Sequence, residues 1–162
     1  MPCAAKGEFA LAQERLFLAL QAPTDPARWG SAATTLDLHA ALADAAASTG
    51  DLETVSRYAP LAEREARRIG HRLHLGIAQR ARGQAAALRG AYAEAESMFD
   101  EALSLFETLG ARWQTGRTLL ARSALRAAMR REAEARADRL RAESIFVSIG
   151  AAPDAAEARL SA

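Results

Sequence analysis

Gly70, Gly110 and Gly150 stand 40 residues apart, and each follows a branched apolar residue, Ile69, Leu109 and Ile149. The same shift carries Gly50 onto Gly90, Val55 onto Ala95 and Ala135, Ala62 onto Ala102 and Ala142, and Phe106 onto Phe146. Agreement at several independent offsets makes the period a property of the chain. A fixed period of about 20–50 residues marks repeat architectures, in which each unit buries its apolar face against its neighbours. Alanine, the best helix former, is the commonest residue, while aromatics make up only 6%. β-Branched runs are few, so strands have little to build on. The expected fold class is all-α.

The stretch from Gly90 to Leu103 shows how one unit works. Ala95 and Ala102 are seven apart and share a helical face two turns apart, where a methyl group lets a neighbouring helix come close. Phe99, four residues after Ala95, fills the space left between them. Gly90 supplies a left-handed turn without steric cost. Gly70, Gly110 and Gly150 suit the position just past a helix C-terminus, where that conformation pairs the loose carbonyls.

Gly83, Gly90, Tyr92, Ala95, Phe99 and Ala102 together resemble the tetratricopeptide repeat motif. Leu52, Val55, Ala59 and Ala62 form a looser copy, and Phe9, Ala12, Leu16 and Ala19 half of one. The third copy keeps Ala135 and Ala142 but has Arg130, Glu132 and Arg139 where the family has Gly, Tyr and Phe. The closing proline is missing throughout, and the period exceeds the family's usual ~34 residues. This long-repeat style is similar to helical regions of large bacterial signalling ATPases, nucleotide cyclases and transcription regulators. The resemblance implies a right-handed α-solenoid of antiparallel helical hairpins.

The 162 residues are expected to form a single helical repeat domain, 1–162. A half repeat at 8–21 carries an apolar stripe of Phe9, Leu16 and Leu20. Asp25 as cap and Pro26 as first helical residue open the first hairpin, 26–69. Pro60 predicts a kink or break near 56–60. Hairpins 71–109 and 112–149 follow, then a cap helix at 153–161, with Ala152 held out of the α region by Pro153.

Half the residues are apolar, which excludes a disordered chain, and a net charge of +1 points to no polyanionic partner. Cys3 is the only cysteine, so a reducing cytoplasm is expected. No stretch approaches the roughly 18 apolar residues of a membrane span. No nucleophile elbow or phosphate-binding loop is present, so catalysis is not expected. His71 and His74 have a spacing that metal sites use, but no carboxylate or cysteine lies nearby in sequence; no metal or cofactor is expected.

Between 112 and 141, nine arginines face only Glu132, Glu134 and Asp138. Arg122, Arg126 and Arg130 at i, i+4 and i+8 predict a basic stripe. A solvated face, with Glu132–Arg136 and Arg139–Glu143 pairs, is its plain reading; an acidic protein or a nucleic acid would be its functional one. Trp29 and Trp113 each follow Ala-Arg at the start of a hairpin's first helix. Packing between repeats is the plain reading there, and a ligand-facing ring the other.

The family resemblance implies a non-enzymatic interaction module whose first helices line a concave groove for a peptide or helix of a protein partner. On this chain the groove maps to Asp37, Asp44, Arg80, Gln84 and Arg117. The family's carboxylate clamp needs Lys and Asn; the chain has no Asn and only Lys6, so that mode is not supported. The alternatives are a sensing or structural segment of a larger bacterial regulator, self-associating through the half repeat, and nucleic-acid binding by the arginine stripe.

Overall fold

The computed structural model describes residues 3–21 and 32–160. These form eight helices and, among the described residues, no strand: α1 (Cys3–Gln21), α2 (Ala32–Thr49), α3 (Leu52–Ile69), α4 (Arg72–Leu88), α5 (Tyr92–Thr108), α6 (Arg112–Ala128), α7 (Glu132–Ser148) and α8 (Ala152–Leu160). Asp25, Pro26 and Trp29 lie outside the described residues, as do the side chains of Phe9 and Leu20.

The turns explain the period. Gly50, Gly70, Gly90, Gly110 and Gly150 all have φ between 65° and 80°. Each is followed by an amide that bonds back five residues: Asp51 N to Ala46 O at 2.9 Å, His71 N to Ala66 O at 2.8 Å and Ala111 N to Phe106 O at 2.9 Å are examples. This left-handed cap closes a helix and launches the next two residues later. The vacant place in that 20-residue series is taken by Arg130, at φ 60°, with Arg131 N on Arg126 O at 2.9 Å. A side chain in this conformation costs about 1–2 kcal/mol. Arg130→Gly is therefore expected to stabilise the chain by about 1 kcal/mol, read as a higher urea midpoint at unchanged slope. An unchanged or lower midpoint would contradict that strain.

Each helix packs on the next, and the first helices α2, α4 and α6 also pack on one another in succession. The core is correspondingly divided into clusters along the chain. Leu42, Ala46, Val55 and Ala81 belong to one, Phe99 and Leu125 to another, and Leu119, Phe146 and Ala155 to a third. Alanines give the close approach: Ala46, Ala59, Ala62, Ala86, Ala95, Ala102, Ala135 and Ala142 are all fully buried. The phenylalanines of second helices rest on glycines of their own first helices. A Cβ at Gly76 would lie 2.6 Å from the Phe106 ring, one at Gly83 2.9 Å from Phe99, and one at Gly116 2.6 Å from Phe146.

Three local expectations need correction. α3 runs unbroken through Pro60. Pro60 and Ser56, the residue whose carbonyl loses its amide partner, are both exposed. α8 begins at Ala152, putting Pro153 in the first turn, where it has no helical bond to lose. α1 starts at Cys3, and Leu16 turns inward: with Phe17 it packs against the Leu42–Tyr58 cluster, leaving Leu11 and Leu18 exposed instead.

Candidate functional site

The most concentrated chemistry among the described residues lies where the three first helices meet. Arg80 of α4 is 1% exposed, the largest fully buried side chain among them. Its Nε and Nη2 donate to Asp44 Oδ1 of α2 at 3.1 and 2.8 Å, and its Nη1 donates to Gln114 Oε1 of α6 at 2.6 Å. Arg117, also of α6, donates from Nη1 to Asp44 Oδ2 at 2.7 Å. One carboxylate thus holds guanidiniums from the second and third hairpins, and the third hairpin reaches the first across the second. Thr118 completes the seam, its hydroxyl donating to the Gln114 carbonyl at 2.8 Å.

The electrostatics follow from burial. Desolvation pushes the Asp44 carboxyl up, but Arg80 and Arg117 more than offset it and hold it below its ordinary value of 3.8. Arg80 moves down from its ordinary value because burial and the neighbouring Arg117 outweigh the help from Asp44. The two partners of one bond therefore shift in ways that favour the ionised carboxylate more than the cation. Arginine stays protonated regardless, so the pair remains ionised.

Of the five expected groove residues, the structure brings together Asp44, Arg80 and Arg117, but as an internal clasp. Arg80 is no surface contact, because its guanidinium is consumed by Asp44 and Gln114. Gln84 is half-buried, and its Oε1 is buried without a donor. Asp37 stands apart and exposed, 2.9 Å from His74 Nε2. The sequence did carry a signal for the clasp: a shift of 40 sets Arg80 against Ala40 and Leu120, both apolar.

The expected basic stripe is overturned. α6 ends at Ala128, so Arg130 belongs to the turn and not to the helix face. Arg122 donates to Asp138 at 2.7 and 2.9 Å and to Asp100 at 2.5 Å. Arg126 donates to Asp138 at 2.9 Å and to Glu96 at 3.2 Å. Arg131 bonds Glu96 at 2.8 Å and Glu134 at 2.5 Å. The carboxylates come from α5 and α7, and this network stitches α6 between them, with Asp138 buried. Arg122, Arg126 and Arg131 are thus matched by carboxylates of the two flanking helices. Glu143 likewise pairs with Arg159 of α8, at 2.6 Å, instead of with Arg139.

The histidines form a second polar contact between hairpins. His71 Nδ1 lies 2.8 Å from His74 Nδ1. One arrangement of protons satisfies both rings: His71 donates to His74, whose Nε2–H donates to Asp37. That chain links α4 to α2 and requires His74 to be neutral. Burial, then the neighbouring His71, hold His74 below 6.5 against the pull of Asp37; burial and Arg64 do the same for His39, which lies beside the Tyr58 ring. A lowered folded pKa means that below pH 6.5 the unfolded chain takes up protons that the folded chain refuses. Stability is therefore expected to fall as pH drops from 7.5 to 5.5, a window above the carboxylate titrations, and His74→Gln should flatten the profile. Equal urea midpoints at both pH values would contradict this.

A cleft of about 610 Å³ lies between α1 and the α2–α3 turn. Its acids are Glu14 and Asp51, and Asp51 is committed: it caps α3 through Thr54 N at 3.0 Å and accepts from Gln13 at 2.6 Å. Among the described residues no three potential metal ligands converge, and no helix is long and apolar enough to cross a membrane. Compared with known proteins, the chain matches no family model, and no curated protein or solved structure matches it.

Proposed function

We propose that this chain is a tetratricopeptide-like protein-interaction module, a right-handed α-solenoid of three full hairpins with half units at its ends. Its concave face, made by α2, α4 and α6, would receive a peptide or helix of a partner protein. One observation carries the reading: first helices pack on first helices, while the principal contacts of α3, α5 and α7 are with first helices. Such an arrangement gives one continuous inner surface. The step from fold to binding is by analogy with repeat proteins.

The clasp narrows where a partner would bind. With Arg80 buried and Arg117 bonded to Asp44, the middle of that face is closed, and contacts would come from the side chains around it, with Asp37 the most open of those expected. A reducing, cytoplasmic setting fits a chain whose sole cysteine is Cys3.

The test is capture from a lysate of the source organism on immobilised full chain, with free chain as competitor. The reading expects a protein whose retention saturates and is displaced by the free chain. Retention of nothing that the free chain displaces, or of nucleic acid alone, would overturn it.

A further inference from the structure

We propose that copies of this chain join head to tail: the open face of α7 and α8 on one copy covers the open face of α1 on the next, so that the row of hairpins continues from chain to chain. This rests on how the hairpins stack, and not on what the inner face binds.

The repeat gives the register of that contact. α1 packs on α2 as α3 packs on α4, α5 on α6 and α7 on α8. Its Ala12, Leu16 and Ala19 align with Ala95, Phe99 and Ala102 of α5. The contacts agree: Gln13 bonds Asp51 in the following turn at 2.6 Å, just as Glu96 meets Arg131 at 2.8 Å. α1 therefore belongs to the series of second helices α3, α5 and α7. Ala95 and Ala102 are fully buried, Ala95 against Gly83 of α4, whereas Ala12 and Ala19 are only half-buried. The side of α1 that corresponds to the α4-facing side of α5 is open.

Within the stack, successive second helices meet through charge. Arg67 of α3 lies 3.6 Å from Glu101 of α5, and Arg141 of α7 donates to Glu107 of α5 at 2.7 Å. Arg67, Glu107 and Val147 stand 40 residues apart, while Glu101 and Arg141 align with Leu18. The next link of that series is Val147 against Leu18 of a second copy, apolar on both sides. Pro60 of α3 and Glu94 of α5 line one cleft, and their equivalents at the two ends are Leu140 and Leu11. Leu140 and Val147 are 55% and 57% exposed, Leu11 and Leu18 48% and 62%. Each pair is seven residues apart and forms one stripe on its helix. Leu160 of α8, exposed, aligns with Leu120, which packs on the cluster holding Ala142; Ala19 of a second copy takes that alanine's place. Arg15 aligns with Met98 of the same cleft and can lay its methylene stem along Leu140.

Both ends thus carry apolar side chains at the matching positions where the interior carries charge. Exposed ion pairs contribute little, whereas burying apolar surface is the main drive of association. The contact uses a different face on each copy and leaves one end of every copy free, so assembly is open-ended.

Sedimentation velocity of the full chain over a wide range of concentration tests this. Wild type is expected to form a series of species that lengthens with concentration. Leu18→Glu and Val147→Glu, which place there the residue that α5 carries, should each remain single chains, with melting curves confirming the fold. Mixed in equal amounts, the two variants should form a species of two chains and go no further. The intact tail of Leu18→Glu fits the intact head of Val147→Glu, while the two glutamate ends repel. Should either variant fail to fold, Leu11→Glu or Leu140→Asp replaces it on the same face. A mixture that stays single, or an assembly that survives one of the two variants as a dimer through one end alone would, overturns the proposal. So does a wild type that stays single at every concentration, which leaves the inner-face reading standing.

Discussion

Asp44→Ala is expected to destabilise the chain by about 3–5 kcal/mol, because it strands the buried Arg80 guanidinium and takes from Arg117 its carboxylate. Against a typical domain stability of about 5–15 kcal/mol that is a large share, visible as a marked fall in the urea midpoint. The loss comes from unpairing charge, not from any great net worth of the ion pair. Exchanging both partners, Arg80→Met with Asp44→Leu, should therefore cost much less than Asp44→Ala alone. The carboxyl is held below 3.8, so its contribution is present above that pH and disappears as pH falls through the lowered value. An Asp44→Ala midpoint within error of wild type would mean that Arg80 is not buried against this carboxylate in solution.

Phe146→Ala is expected to cost a similar ~3–5 kcal/mol. The ring is fully buried and rests where Gly116 lacks a Cβ, so truncation leaves a cavity between α6 and α7 that neither backbone can close. The complementary change has two opposing terms. Gly116→Ala gains about 1 kcal/mol of helix propensity, but its methyl would lie 2.6 Å from the ring, and overpacking costs about 1–3 kcal/mol. Because the ring is hemmed in, a net loss is expected. Gly116→Ala combined with Phe146→Leu should then be more stable than the two single changes sum to, since the smaller side chain vacates the space that the methyl enters. Strict additivity would show that glycine and ring are not in contact.

What was legible in the sequence was whatever the backbone itself repeats. A left-handed residue every 20 positions appears as glycine in five of the six described turns, because only glycine takes that conformation freely. The lattice even located Arg130 as a departure, although not its strained φ. What escaped was pairing between helices. Arg122 and Arg126 read as a stripe because their neighbours in sequence are not acidic; their carboxylates arrive from Glu96, Asp100 and Asp138, 12 to 30 residues away. Arg80 read as a surface residue because an arginine usually is one. The apolar residues at its equivalent positions were the local sign that this one is inside. Pro60 did not break its helix, which continues to Ile69.

The most direct measurement is a double-mutant cycle on Asp44→Asn and Arg117→Gln, read by urea unfolding of the full chain. These residues are 73 positions apart and touch only if the third hairpin closes back onto the first. A contact of this kind predicts a coupling energy of about 1 kcal/mol or more. Additive single changes, with coupling indistinguishable from zero, would contradict the clasp, and with it the arrangement of α2, α4 and α6 around one shared carboxylate.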